Sequence, residues 1–173
     1  RTQSCSLIYQ LSTLCQIVPS SMHNTYHAFV TKDLVNFTTP ALNLRTLTYD
    51  IARLVFRLMI ARQIGAVVFE ISPTEMAYTN QTPKEYAISV LAAAIKEDYH
   101  GPVFLQGDHF QFNKDAFSLD QTAEIQRLKT LISTAIDAKF YNIDIDASTL
   151  VDLTKPKLAD QQLLNAQMTA LLS

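Results

Sequence analysis

Ala66-Val67-Val68-Phe69-Glu70-Ile71-Ser72 is an apolar run rich in β-branched residues, preceded by Gly65. Such a run reads as a strand covered on both faces, which is the situation of a strand in a parallel sheet. Upstream, Ile51, Leu54, Val55, Leu58 and Met59 recur at helical spacing and predict one apolar helix face, with Gly65 as the helix stop. Before that helix, residues 39–44 (Thr-Pro-Ala-Leu-Asn-Leu) read as a short strand. Downstream, Thr82-Pro83-Lys84-Glu85 joins an N-cap Thr, a Pro at the first helical position and a Glu placed for a capping box. The helix it opens has Ala87, Val90, Leu91, Ala94 and Ile95 on its buried face.

The pattern then repeats. After Gly101-Pro102 comes the strand Val103-Phe104-Leu105-Gln106. A second capping box is expected over Ser118 to Gln121, opening a helix faced by Ile125, Leu128, Ile132, Ala135 and Ile136. Residues 140–146 form a fourth strand, and a helix from Leu158 carries Leu164, Met168, Leu171 and Leu172 on one side. Strands beginning near 39, 66, 102 and 140 set the rhythm of repeated βα units with parallel strands. The fold class is therefore α/β. Four units in residues 39–173 match half of a (βα)8 TIM barrel, which takes about 250 residues when closed. A small open α/β sheet is the alternative. Residues 1–38 fall outside the rhythm and read as a partly helical N-terminal extension.

Composition sets the class of partner. The 173 residues are 48% hydrophobic and 17% charged, with a net charge of −2. That is a globular balance, and it lacks the basic excess of a nucleic-acid-binding protein. No apolar run approaches the length of a membrane span. No secretory signal is visible, so a cytoplasmic location is expected. Cys5 and Cys15 give no disulfide framework.

In parallel α/β folds, function gathers at the C-terminal ends of the strands. Asn43 and Arg45 stand at the first end, and Glu70, Ser72 and Glu75 at the second. Gln106-Gly107-Asp108-His109 stands at the third, and Asp144, Asp146 and Ser148 at the fourth. Asp108-His109 is the sharpest signal: an imidazole that can ligate a metal beside a carboxylate that can move a proton. Strand alternation puts Asp144 and Asp146 on one face, where two carboxylates need a partner, a hydrogen bond or a metal. Glu70 faces the same cost inside an apolar strand, and an ion pair to Arg45 or Arg53 is the structural expectation. His23, His27 and His100 are expected to be surface or packing residues.

Gly101-Pro-Val-Phe-Leu-Gln-Gly-Asp-His109 resembles the strand of class II, zinc-dependent fructose-bisphosphate and tagatose-bisphosphate aldolases that ends in Asp-His. Asn142-Ile-Asp-Ile-Asp-Ala-Ser148 is similar to that family's following strand. Pro40-Ala-Leu-Asn43 is similar to its first, and Phe69-Glu-Ile-Ser72 to its second. The resemblance implies the N-terminal half of a TIM barrel. It implies retro-aldol cleavage of a ketose bisphosphate into dihydroxyacetone phosphate and an aldehyde, with zinc polarising the ketone. It makes His109 a zinc ligand and Asp108 the carboxylate that takes the proton of the C4 hydroxyl. Asn43 and Ser72 hold substrate, and Asp146, Asp144 and Glu70 support the zinc site from behind its ligands. The remaining zinc ligands are expected outside this chain, which would make it an inactive N-terminal fragment of a homo-oligomeric parent acting on a sugar phosphate. Two other readings stand beside the enzyme: a non-catalytic aldolase-like partner subunit, and an α/β domain binding a phosphorylated ligand. With only Gly65, Gly101 and Gly107 in the chain, the second of these has no Gly-rich phosphate loop to rest on.

Overall fold

The computed structural model describes residues 2–36 and 38–173. It contains five strands, β1 (Ile17–Ser20), β2 (Ala41–Asn43), β3 (Val68–Ile71), β4 (Gly101–Gln111) and β5 (Asn142–Asp146). Its helices are α1 (Thr2–Leu14), α2 (His23–Val30), α3 (Thr48–Arg62), α4 (Pro73–Thr79), α5 (Pro83–Lys96), α6 (Lys114–Leu119), α7 (Gln121–Asp137) and α8 (Leu158–Leu172). A 3-10 turn spans Ser148–Leu150. Every strand pair is parallel, so the chain is an α/β protein built on a parallel sheet. Among the described residues, no helix is long and apolar enough to cross a membrane.

The long strand β4 organises the sheet. Its one edge pairs with β3, which pairs in turn with β2. Its other edge is shared end to end: β1 lies along Gly101–Phe104 and β5 along Gln106–Gln111. The N-terminal region thus supplies a strand that the sequence does not announce. Ile17-Val-Pro-Ser20 is only four residues long and contains a proline, which a sheet tolerates at its edge. Asn142 joins the two edge strands. Its side-chain oxygen accepts from Met22 N at 2.7 Å, and its amide nitrogen donates to Leu105 O at 3.0 Å and Ser20 O at 3.2 Å.

α3 and α5 cover one face of the sheet. Phe56 of α3 lies 5.1 Å from the Phe69 ring and 4.8 Å from the Tyr99 ring, centroid to centroid. Burying a side chain of this size stabilises by roughly 1.5–3 kcal/mol. The buried residues of α3 are Thr48, Ala52, Phe56 and Met59, whereas Leu54 and Leu58 are 60% and 52% exposed. The expected face was rotated from the true one. Apolar residues run more than half-way round this helix, and Phe56 takes the core position because it meets two aromatic rings there. Its left-handed C-cap is Gln63, not Gly65. α5 has the expected capping box, with the Thr82 side chain accepting from Glu85 N and the Glu85 side chain accepting from Thr82 N. The box expected at Ser118 is absent: Ser118 lies within α6 and bonds back to Lys114 O. Asp120 caps α7, accepting from Ala123 N at 3.0 Å.

Because Phe69 points to α3, strand alternation turns Glu70 to the opposite face. The register there aligns Asn43, Glu70, Gln106 and Asn142 across β2, β3, β4 and β5. One step toward the N-terminal ends, Val68 and Phe104 form a small apolar cluster closed by Met22. One step toward the C-terminal ends stand the residues of the cleft.

Candidate functional site

Opposite the C-terminal ends of the strands opens a cleft of about 950 Å³, lined by Asn43, Arg45, Ser72, Glu75, Asp108 and His109 among others. Its centre is a β-bulge. Gly107 pairs with Ile143 and Phe110 with Ile145, so Asp108 and His109 together face the single residue Asp144. The extra residue resets the alternation. Phe110 and Phe112 remain in the core, while Asp108 and His109 are both released to the cleft. His109, the second of the two bulge residues, has a left-handed φ of 48°. Gly107 is required by space: a Cβ there would lie 2.6 Å from two ring carbons of Phe110.

The imidazole of His109 sits among three carboxylates. Its Nδ1 is 3.2 Å from Asp146 Oδ2 and 3.8 Å from Asp144 Oδ2, and its Nε2 is 3.7 Å from Asp108 Oδ1. The backbone N of His109 donates to Asp144 Oδ2 at 3.3 Å. An ionised carboxylate only accepts, so Nδ1 carries the proton toward Asp146 and leaves Nε2 on the Asp108 side. The Asp146 bond, with Asp108 next in weight, raises the His109 pKa above the ordinary value. Asp146 is lowered: burial pushes it up, but hydrogen bonds from Ser148, His109 and Gln111 outweigh that. Its Oδ2 takes Gln111 Nε2 at 2.7 Å and its Oδ1 takes Ser148 N at 2.9 Å.

A second network reaches Asp108 from β2 and α4. Asn43 Nδ2 donates to Asp108 Oδ2 at 2.9 Å and to Glu75 Oε2 at 3.2 Å. Glu75 is buried, and its Oε1 accepts from Arg45 Nε at 2.5 Å. Ser72, expected as a substrate contact, caps α4: its side chain accepts from Glu75 N at 3.3 Å while Ser72 N donates to Glu75 Oε2 at 2.9 Å. It still lines the cleft. Glu75 was not assigned a role from the sequence. The signal was there, since Ser72-Pro73-Thr74-Glu75 repeats the form of Thr82-Pro83-Lys84-Glu85.

Glu70 makes neither expected ion pair. Arg45 is held by Glu75, and Arg53 by Glu97 at 2.5 Å. Instead Glu70 Oε2 accepts from its cross-strand neighbour Gln106 Nε2 at 2.8 Å. Burial, reinforced by the nearby Asp108 charge, raises its pKa. His23, His27 and His100 are exposed, as expected. On the far wall of the cleft Arg127 pairs with the buried Glu124 at 2.7 Å and donates to Gln111 O at 3.0 Å.

Asp108, His109 and Asp144 can each offer one donor atom, all within 4.8 Å of one another. An imidazole and two carboxylates form a donor set suited to a divalent cation of the zinc or manganese type, with positions left open for other ligands. Compared with family models, curated proteins and solved structures, the chain matches none.

Proposed function

We propose that the bulge at the margin of this cleft is a divalent-cation site, His109 and Asp144 its ligands with Asp108 beside them, in an aldolase-type lyase acting on a ketose bisphosphate. The observation that carries the reading is the bulge, which turns Asp108 and His109 together onto Asp144. The reading extends to the architecture: β2 to β5 with their helices are the first four units of a TIM barrel.

Bound there, the cation would supply Lewis acidity at the substrate ketone. The chain does the rest. Asp146 holds Nδ1 of His109, fixing the tautomer that leaves Nε2 to ligate. Asp108 takes the C4 hydroxyl proton as the C3–C4 bond breaks and its electron pair passes toward the ketone. Asn43 keeps Asp108 oriented by donating to Oδ2. Arg45 and Arg127 line the cleft and supply the cationic groups that would meet the substrate phosphates.

The test uses Co2+ as a spectroscopic probe. Wild-type chain should bind it with a d–d band that shifts on adding fructose 1,6-bisphosphate but not inorganic phosphate. Asp108→Asn should keep the band, and His109→Ala should lose it. A wild-type chain that binds no Co2+, or a His109→Ala variant that binds it equally well, refutes the metal site. A band that answers inorganic phosphate and sugar alike refutes the substrate.

A further inference from the structure

We infer that Glu75 is a positioning residue: through Asn43 it fixes the side chain of Asp108. This rests on the proposed role of Asp108, but its geometry stands alone. Asn43 Nδ2 lies between two carboxylate oxygens, Glu75 Oε2 at 3.2 Å and Asp108 Oδ2 at 2.9 Å. Neither oxygen can donate while ionised, so the amide must present its NH2 and not its carbonyl to that gap. With both N–H bonds committed, Asn43 cannot rotate without losing two charge-assisted hydrogen bonds.

Glu75 is itself immobilised. Oε2 also takes Ser72 N, and Oε1 takes Arg45 Nε. These bonds outweigh the effect of burial and hold its carboxyl below the usual range, so it remains an anion and a pure acceptor. The start of α4 thereby becomes a fixed anchor for a side chain on β4, with Asn43 of β2 as the bridge. Replacing Glu75 by Ala removes the acceptor at that end of the gap, where a Gln would keep its carbonyl oxygen toward Ser72 N and Asn43 Nδ2. Asn43 is then held by Asp108 alone, and the two side chains are free to turn together.

The experiment is a double-mutant comparison on the metal-free chain, reading the Asp108 side-chain carboxyl carbon and the Asn43 side-chain NH2 by NMR. Glu75→Ala should shift the Asp108 carboxyl resonance in the same sense as Asn43→Ala, and Glu75→Ala with Asn43→Ala should shift it no further than Asn43→Ala alone. Ser72→Ala loosens the same helix start and should lower thermal stability without moving the Asp108 resonance. That variant separates positioning from capping. Where Co2+ binds, Glu75→Ala should keep the band as Asp108→Asn does, because Glu75 acts through Asp108 and not through a ligand. An unmoved Asp108 resonance in Glu75→Ala, or a further shift in the double variant, overturns the inference. A chain that binds no Co2+ refutes the metal reading and leaves the NMR comparison decisive for Glu75.

Discussion

Gly107→Ala tests the bulge that creates the cleft. A Cβ at residue 107 would sit 2.6 Å from two carbons of the Phe110 ring and 3.2 Å from a third. Ordinary carbon contacts need about 3.5–4.0 Å, so the ring must retreat by about 1 Å. Phe110 is fully buried at 0% exposure, and a close-packed interior has no gap to receive it. Overpacking of this kind costs about 1–3 kcal/mol, partly offset by the ~0.4–1 kcal/mol that Ala contributes over Gly through the unfolded chain. We expect a net loss of about 1–2 kcal/mol, or roughly 2–8 °C in Tm for a chain of this size. Urea unfolding followed by far-UV circular dichroism measures it. Gly65→Ala is the control, because nothing lies within 4 Å of a Cβ there; it should be neutral or slightly stabilising. Combining Gly107→Ala with Phe110→Leu should cost less than the sum of the single changes by at least about 0.5 kcal/mol, since the smaller side chain yields the space. A Gly107→Ala protein as stable as Gly65→Ala, or additive with Phe110→Leu, would refute the steric account of the bulge.

Two further outcomes follow from other parts of the fold. Glu97 receives Arg53 from one side and Arg57 from the other, and the Arg57 hydrogen bond leads in holding its carboxyl down to about 2. A depressed carboxylate contributes stability that is complete above its unfolded pKa of about 4.3 and is lost as pH falls through the folded value. Glu97→Gln should therefore lower Tm at pH 7 and converge with wild type near pH 2; a gap of equal size at both pH values would sink the ion-pair account. Asn142→Leu strands Met22 N and Leu105 O, and should cost about 2–6 kcal/mol at the ~1–3 kcal/mol typical of each buried unpaired group. Hydrogen exchange should rise first in β1, and unchanged protection of Ile17–Ser20 would show that Asn142 does not hold that strand.

The parallel α/β class was legible because strand β3 and the first half of β4 are written as local apolar runs, and because Thr82-Pro83-Lys84-Glu85 announces α5 by local chemistry alone. The face of α3 was not legible. Met59 is buried as expected and Ile51 and Val55 pack at the edge of the core, but Leu54 and Leu58 satisfy helical spacing as well as Ala52 and Phe56 do, and only contact with Phe69 and Tyr99 chooses between them. The chemistry at the strand ends was also visible, because ionisable residues cluster there in sequence. How they combine was not. The bulge exists in the pairing of β4 with β5, and its one local mark is Gly107 inside a strand pattern. Asp108 and His109 therefore read as a strand-end dipeptide when they are two residues facing one. The partner of Glu70 was misjudged for a related reason: charge alone suggested an arginine, while the register placed Gln106 beside it.

That register also explains why a cation suits this end of the sheet. Along the face away from α3, the row of Val68 and Phe104 is apolar and is closed by Met22. The next row, Asn43, Glu70, Gln106 and Asn142, is polar and largely satisfied within itself and the backbone. Beyond it, charge accumulates at the cleft. Arg45 is committed to Glu75 and Arg127 to Glu124. Asp108, Asp144 and Asp146 are then left around the one imidazole of His109. Burial raises the pKa of Glu70 behind them, and repulsion from Asp108 adds to it. A proton on His109 relieves part of it, which is why Asp146 and Asp108 raise that pKa as well. A divalent cation at the bulge would relieve more. It would bring two positive charges to the point where Asp108, His109 and Asp144 already converge, and the neutral imidazole it requires is the form that binding itself would enforce.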